Sequence, residues 1–343
     1  MKKGNKMKNL SILSKIECRG GNEWRMGEYI IGFSKLGYNV RVYCHKSFDN
    51  TIKQYINKNI GTEWSNNVYD NMNFKINCRT NEILLLSPVD ELSLGDPVFI
   101  DKFLIDKQNI SKLVVNINWL RKDLKRLQNL IDPSKIIYLC ANKNIQQEYK
   151  SQGIFTTFHL PTPISKCFQN TKINYDNTTI GRHSRSFDYK FSEQYENIIK
   201  EMPEHNFLIM GLDNDNFKKI SKLQNVAILK EFEITAQEFL SRIGIFLQIN
   251  HERYIEMSPR VVVEAMMAGL PVIAENRDGA KDQIIHGETG FLSNNQKDTK
   301  KYLSLLLNDK KLRQTIGKNA KEFALKHFVS KIIIKKLENR INE

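Results

Sequence analysis

The chain has 343 residues, 41% hydrophobic and 26% charged, a length suited to two domains that each bury their own core. No apolar run reaches the 18 residues that a membrane-spanning helix needs, and no secretory signal is visible, so we expect a cytoplasmic protein. The net charge of +14 permits an anionic partner without identifying one, and a solvated basic surface explains it equally well.

Short apolar runs rich in branched residues alternate with helical patterns in the first half of the chain. A first strand is predicted at Asn9–Leu13, a helix at Asn22–Leu36 with its apolar residues on one face, and a second strand at Asn39–Cys44. Further strands are predicted at 82–86, 97–100, 113–117 and 135–139. This alternation favours a mostly parallel, doubly wound α/β sheet.

Two prolines in the segment Leu160–Ser165 interrupt the alternation and favour an extended connection. We place the domain boundary here, which gives domains of residues 1–165 and 166–343. Strands are then predicted at 178–181, 207–210, 226–229, 245–249 and 271–274, with helices at 260–268 and within 311–342. Two such domains are expected to face a cleft, because ligands bind beyond the carboxyl ends of parallel strands.

The five cysteines, at positions 18, 44, 78, 140 and 167, never form a Cys-x-x-Cys pair. A disulfide framework and a metal–thiolate site are therefore not predicted, and we expect small buried apolar residues. Asp213 and Asp215 have Asp-x-Asp spacing but read as a surface loop. No metal and no other cofactor is implied.

Two glutamates eight positions apart give the strongest local signal. Glu256 falls in a predicted loop after a strand, whereas Glu264 falls inside the apolar helix that ends at Gly269. A carboxylate among apolar neighbours is costly to bury without partners, and the vicinal hydroxyls of a ribose are suitable hydrogen-bond donors to it. The spacing alone leaves a solvent-facing glutamate as the alternative.

This Glu-x7-Glu pattern, followed by Ala-Met-x-Ala-Gly-x-Pro-Val, resembles the donor-site signature of family 4 glycosyltransferases, which have the two-domain GT-B fold. Residues 276–292 continue the likeness, although Asp278-Gly279 and Asp282 stand where the family usually has paired glycines and a glutamate. The resemblance implies two Rossmann-like domains, with a last helix at about 329–342 that crosses back to the first. It also implies a UDP- or GDP-sugar donor and a reaction that usually retains anomeric configuration.

On the same resemblance, several residues of this chain acquire expected roles. Glu256 would lie at the transferred sugar as a catalytic residue. The donor would also contact Ser258, Pro259, Arg260 and Glu264.

The stretch Thr178–Arg182 resembles the strand and Gly-Arg that open the family's C-terminal domain, where an arginine and a following lysine hold the donor diphosphate. Arg182 fits the first role and Lys190 the second, at a longer spacing and with Arg185 between them. Such cations would bind the diphosphate and stabilise the charge that grows as it leaves, so both are candidate catalytic residues. Solvated surface cations are the alternative.

A glycine pair after the first predicted strand, Gly20-Gly21, resembles the loop by which the family's N-terminal domain faces the donor phosphate. Glycines let backbone amides approach an anion at a helix N-terminus. Between about residues 50 and 150 the likeness fades. Asn118, Trp119 and Arg121 are the acceptor candidates there, at the start of a basic amphipathic segment that would pack on the sheet or rest on an anionic membrane.

The positive charge is concentrated in the first domain, where residues 1–165 carry 24 Lys and Arg against 15 Asp and Glu. We expect a nucleotide-sugar glycosyltransferase of polysaccharide biosynthesis, with a lipid-linked or cell-envelope saccharide as acceptor, in the cytoplasm or at the inner face of the membrane. A glycosyltransferase of a modified DNA base, a nucleotide-sugar epimerase of GT-B fold and a non-enzymatic basic nucleic-acid-binding protein are the alternatives.

Overall fold

The computed structural model describes residues 8–14, 21–44, 47–70, 76–87, 104–117, 124–129, 131–186, 190–212 and 214–343. The chain forms two compact units, one of residues 1–163 with 330–343 and the other of residues 164–329. Within the described ranges, each unit is built on a parallel β-sheet with helices packed against it.

The sheet of the first unit has seven strands among the described residues, in the order β3-β2-β1-β5-β7-β8-β9, all parallel. Its strands are β1 (Asn9–Ser14), β2 (Asn39–Cys44), β3 (Val68–Tyr69), β5 (Glu82–Leu86), β7 (Ile110–Ile117), β8 (Ile136–Cys140) and β9 (Thr157–His159). Two short strands, β4 (Ile76–Asn77) and β6 (Leu104–Ile105), pair separately. The helices of this part of the chain are α1 (Gly21–Lys35), α2 (Asn50–Ile60) and α3 (Lys143–Ser151).

The second unit has a parallel sheet of six strands in the order β12-β11-β10-β13-β14-β15. These are β10 (Ile180–His183), β11 (Phe207–Met210), β12 (Val226–Leu229), β13 (Ile245–Gln248), β14 (Val272–Glu275) and β15 (Phe291–Ser293). Its helices are α4 (Glu193–Glu201), α5 (Asn214–Ile220), α6 (Ala236–Ser241), α7 (Arg260–Ala268), α8 (Ala280–Gln283), α9 (Gln296–Asn308) and α10 (Lys310–His327). A last helix, α11 (Ser330–Asn342), belongs to the first unit.

The inner strands of both sheets are buried, as is usual in parallel sheets, which carry helices on both faces. Every residue of β5 and of β8 is buried, and α1 buries the apolar face that the sequence predicts, with Met26, Tyr29 and Phe33 in the core. The predicted α/β class is thereby confirmed. The predicted strand at 97–100 lies outside the described residues.

Helix α11 packs on α1 through a glycine. A Cβ atom placed on Gly32 would lie 2.0 Å from Cδ1 of Ile334, so a larger residue at this position would force the isoleucine side chain to move. Nearby, the hydroxyl of Tyr38 donates to Oε1 of Glu338 at 3.4 Å. The C-terminal segment is therefore part of the core of the first unit, where Ile333 and Leu337 are fully buried.

Helix α7 is held in the second unit by two glycines that touch. Gly269 ends the helix with a positive φ of 97°, which favours glycine, and a Cβ on Gly317 of α10 would lie 2.1 Å from the Gly269 carbonyl oxygen. This close approach fixes the C-terminal end of α7, and with it the direction in which its N-terminus points.

The structure also bears on the expectations for the cysteines, for the Asp-x-Asp pair and for membrane-spanning helices. Cys44, Cys78 and Cys140 are buried, but Cys167 is partly exposed, and Cys18 lies outside the described residues. Asp215 lies in α5 rather than in a loop. In the part of the chain that the structure describes, no helix combines the length and the apolar character needed to cross a bilayer.

Candidate active site

The order of the second sheet reverses between two neighbouring strands, β10 and β13. The chain continues from β10 to β11 on one side, whereas β13 and β14 lie on the other. Ligands of open parallel sheets bind beyond the carboxyl ends of the strands at such a reversal. Arg182 and His183 end β10, and Asn250 follows β13, so the sheet places these side chains at the expected position.

Arg182 is fully buried at this edge. Its guanidinium carbon lies 5.3 Å from the ring centroid of Phe191 and 5.6 Å from that of Tyr195, a cation–π arrangement on two rings. Its Nη2 donates to the backbone carbonyl of Lys190 and lies 3.4 Å from Oδ1 of Asn250. In this structure the arginine therefore supports the backbone of the second predicted cation.

Lys190 and Glu256 form an ion pair with Nζ 3.1 Å from Oε1. The same ammonium lies 4.9 Å from the ring centroid of Tyr254. Burial would lower the pKa of Lys190, but the carboxylate of Glu256 and the hydroxyl of Tyr254 outweigh it and hold that pKa above its usual value. The lysine is consequently charged at neutral pH and stands beside the candidate sugar-binding carboxylate.

The carboxylate of Glu264 is buried and partnered. Arg260 Nε donates to its Oε1 at 2.5 Å, one turn earlier on α7, and Nε2 of His183 lies 3.8 Å from its Oε2. Burial, followed by the charges of Arg182, Lys190 and Arg260, lowers the pKa of His183 to about 3. The imidazole is therefore neutral near pH 7. The alternative of a solvent-facing glutamate is wrong.

The start of α7 brings together the other predicted donor residues of this unit. Pro259 is buried at the N-cap and Arg260 is the first helical residue. The hydroxyl of Ser258 accepts a hydrogen bond of 3.3 Å from Nε2 of the buried Gln283. The first turn of α7 thus begins immediately after the loop that carries Glu256, with its backbone amides at the carboxyl edge of the sheet.

Asn250 and Arg277 complete this group, and sequence reasoning missed both. The Nδ2 of Asn250 donates to Oε2 of Glu256 at 3.3 Å, while its Oδ1 accepts from Nε2 of Gln248 at 2.9 Å. Asn250, Glu256 and Arg277 also line one small concavity, together with Gln248, Pro259, Glu275, Asp278 and Ala280. A polar residue directly after a buried strand was the available signal for Asn250.

In the first unit, only one of the predicted donor and acceptor residues, Gly21, lies within the described residues. Gly21 is the first residue of α1, and a Cβ there would meet nothing within 4 Å. Gly20 and the acceptor candidates Asn118, Trp119 and Arg121 lie outside the described residues.

A buried polar cluster that was not predicted lies at the carboxyl edge of the first sheet. Arg25 of α1 donates to Oδ1 of Asn116 at 3.0 Å and also to the hydroxyl of Thr162. Ser87 donates to Oδ1 of Asn22 at 2.9 Å, just after β5. Asn116 belongs to β7 and lies two residues before the predicted acceptor residue Asn118, near the carboxyl end of the strand.

Comparison with known proteins finds a family match within the second unit. Residues 191–323 match the family described as Glycosyl transferases group 1. This stretch of the chain is similar to the members of that family. It includes Glu256 and Glu264, whereas Arg182 and Lys190 precede it.

The chain is 27% identical over 184 residues to the capsular polysaccharide biosynthesis glycosyltransferase CapM of Staphylococcus aureus, a match that covers 50% of this chain and 47% of that protein. The chain spans about half the length of the curated relatives it matches.

Two solved structures share the fold over nearly the full chain. Anabaena Alr3699/HepE in complex with UDP-glucose has a TM-score of 0.73 at 15% identity, covering 97% of this chain and 99% of that one. An alpha-glucosyltransferase in complex with UDP and a 13-mer DNA containing a HMU base has a TM-score of 0.65 at 15% identity, covering 98% and 100%. The predicted GT-B fold of two Rossmann-like domains is confirmed.

Proposed function

We propose that this chain is a glycosyltransferase that moves a sugar from a nucleotide-diphosphate sugar to an acceptor hydroxyl, with retention of anomeric configuration. The observation that carries the proposal is the cluster of Lys190, Glu256 and Glu264 at the sheet reversal of the second unit, in and next to the segment that matches the family. A cation beside two carboxylates at this edge suits a donor with a diphosphate, a ribose and a sugar.

In the proposed reaction, the bond between the anomeric carbon and the diphosphate oxygen breaks, the acceptor oxygen bonds to that carbon, and the hydroxyl proton passes to the leaving diphosphate. Lys190 stabilises the negative charge that grows on the leaving diphosphate, an electrostatic contribution that strengthens as water leaves the site. Arg182 supports it by holding the Lys190 backbone and adding positive potential. Glu256 orients the sugar hydroxyls, and Glu264 accepts hydrogen bonds from the ribose.

For the donor, a UDP-sugar is our first choice and a GDP-sugar our second. The choice rests on two proteins of the same fold, one solved with UDP-glucose and the other with UDP. Among the described residues no group of three or more His, Cys, Asp or Glu side chains is arranged to hold a metal ion.

For the acceptor, we propose a saccharide of cell-envelope glycan synthesis, carried on a lipid. CapM, the relative from Staphylococcus aureus, is named for capsular polysaccharide biosynthesis, and the first half of this chain carries the larger positive excess that an anionic membrane would attract. A modified DNA base is the second candidate, favoured by the fold shared with a glucosyltransferase solved with DNA.

A screen of UDP- and GDP-sugars tests the donor proposal by measuring release of the nucleoside diphosphate with and without lipid-linked saccharide acceptors. We expect release to accelerate with one matching donor and acceptor, and NMR of the product to give the same anomeric configuration as the donor. Inverted configuration would contradict retention. Activity on DNA that falls steeply with salt would select the alternative acceptor.

The ribose role of Glu264 is tested separately by Glu264→Gln. The amide retains one acceptor but loses the charge, so we expect affinity for UDP, measured by calorimetry, to fall roughly 10-fold, as expected when a charge-assisted hydrogen bond is lost. Glu238→Gln is the control, because Glu238 is an exposed helix residue of the same unit. Equal affinity in the Glu264 variant would remove this role.

A further inference from the structure

Glu256 lies in a stretch of eleven residues, 249–259, that is neither helix nor strand. Only one backbone hydrogen bond closes a turn inside it, from the amide of Tyr254 to the carbonyl of His251 at 2.9 Å. A loop of this length does not fix a carboxylate by itself, because it lacks the ladder of hydrogen bonds that holds a strand or helix. Contacts from outside the loop must therefore set the position of Glu256.

Arg277, two residues after β14, supplies several of those contacts. Its Nη1 donates to the backbone carbonyls of Glu252 and Tyr254, each at 3.1 Å, and its Nη2 donates to the carbonyl of His251 at 2.9 Å. One planar guanidinium thus binds three carbonyls of the loop backbone within four residues, a use that suits the fixed fork of arginine donors.

Arg277 with the loop carbonyls that it binds is called the clamp below. The guanidinium of this clamp also contacts the end of the sheet. Nη2 of Arg277 lies 3.1 Å from Oε2 of Glu275, the last residue of β14. That same carboxylate oxygen accepts the backbone amide of Asn250 at 3.0 Å. A second tie comes from Gly279, whose amide donates to the Glu256 carbonyl at 3.0 Å and whose Cβ position is filled by the Met257 carbonyl oxygen, 2.1 Å away.

Residues gripped by the clamp are the ones that touch the candidate catalytic pair. Tyr254, held through its carbonyl, places its ring 4.9 Å from the ammonium of Lys190. Asn250, held through its amide, donates its side chain to Glu256. Displacement of the loop would therefore move the surroundings of both charges together.

We propose that Arg277 is a positioning residue for sugar transfer, which acts through the loop 249–259 to fix Glu256 and Lys190. The proposal deepens the proposed function and rests on it. It goes beyond the family resemblance, because it concerns a residue whose acceptors are backbone carbonyls of this chain's own loop.

The kinetic test compares Arg277→Lys, Arg277→Gln and Arg277→Ala with the wild type. Because misplacement of a catalytic group by about 1 Å costs roughly 100-fold, we expect kcat to fall between about 10-fold and 100-fold in Arg277→Gln, with a smaller change in the KM of the donor. Arg277→Lys should recover little, since one ammonium cannot reach all the carbonyls. Added guanidinium should restore part of the activity of Arg277→Ala.

The matched control is Arg313→Gln. Arg313 of α10 also grips backbone carbonyls, those of Tyr175 and Leu307 among them, but it lies outside the candidate site. If Arg277→Gln lost activity only because it is less stable, an Arg313→Gln variant with the same melting temperature as Arg277→Gln would lose as much activity. That result would overturn the proposal.

Hydrogen exchange tests whether Arg277 holds the loop 249–259, and it does not depend on a measurement of activity. In Arg277→Gln, protection should fall at the amides of Asn250, Arg253, Tyr254 and Gly279, all of which are hydrogen-bonded in or next to the loop, while β10 keeps its protection. Unchanged protection at those amides in the folded variant would overturn the inference. Absence of sugar transfer in the wild type would instead refute the proposed function.

Discussion

At the scale of single residues, Lys190 and Glu256 carry the chemistry that the proposed reaction needs, and they lie within 3.1 Å of each other. In the absence of a donor each charge is balanced by the other, which offsets the cost of holding them part-buried. A bound donor would place its diphosphate near the lysine and its sugar near the glutamate.

Glu256→Gln tests the role of the carboxylate. We expect kcat for sugar transfer to fall at least about 10-fold, because the amide neither orients hydroxyls as strongly nor stabilises positive charge at the anomeric carbon. Affinity for UDP, which lacks the sugar, should be kept or increased, since Lys190 loses its competing partner. Glu252→Gln, an exposed residue of the same loop, is the control. Full activity in Glu256→Gln would exclude the assigned role.

His183 gives a prediction about acid stability. Its pKa is about 3 in the folded protein because of burial, against about 6.5 when exposed, so below pH 6.5 the unfolded chain binds a proton that the folded chain does not. The free energy of unfolding of the second unit should therefore decrease as the pH falls from about 6.5 towards 3.

The measurement is urea unfolding at several pH values in wild type and His183→Gln. Between pH 6 and pH 4, the free energy of unfolding of the wild type should fall with pH more steeply than that of His183→Gln. The difference in slope should reach up to about 1.4 kcal/mol per pH unit, the value for one proton. His205→Gln, at a partly exposed position of the same unit, controls for the loss of an imidazole. Parallel pH profiles in wild type and His183→Gln would show that another group causes the acid sensitivity.

At the scale of elements, the packing of α11 on α1 depends on Gly32. Gly32→Ala would gain helix propensity of about 1 kcal/mol, but the added methyl meets Ile334, and overpacking of this kind costs roughly 1–3 kcal/mol. We therefore expect a net loss of stability in thermal unfolding, together with faster proteolysis of the C-terminal segment.

The combination Gly32→Ala with Ile334→Ala separates the two terms. Removal of the isoleucine side chain makes room for the new methyl, so the double variant should be more stable than the sum of the single changes predicts. Additive losses would mean that Gly32 is required for a reason other than contact with Ile334.

Elements could be predicted where local patterns determine them. The strands at 39–44, 82–86, 207–210 and 226–229 and the helix at 260–268 agree with the structure, because branched apolar runs and the stop at Gly269 are local signals. The clamp at Arg277 could not be predicted, because its acceptors are backbone carbonyls, which every residue has. The ion pair between Glu264 and Arg260 could have been predicted from the sequence, since residues four apart share a helix face.

At the scale of the whole molecule, the family signature and the sheet order agree. The strand-end residue Arg182 is far in the chain from the motif residues Glu256 and Glu264, yet the parallel sheet of the second unit brings their surroundings to one edge. The acceptor was not predictable in the same way, because the residues between about 50 and 150 follow no recognised pattern and the candidates at 118–121 lie outside the described ranges.

The most direct test of the central claim, that the second unit binds a nucleotide-sugar donor at Lys190, is calorimetric titration of the full chain with UDP and GDP. The wild type should bind one of them, Lys190→Ala should bind it at least about 10-fold more weakly because a charged hydrogen-bond donor to the diphosphate is lost, and the exposed-site control Lys200→Ala should bind it like the wild type. No binding of either nucleotide, or equal binding by Lys190→Ala, would contradict the account.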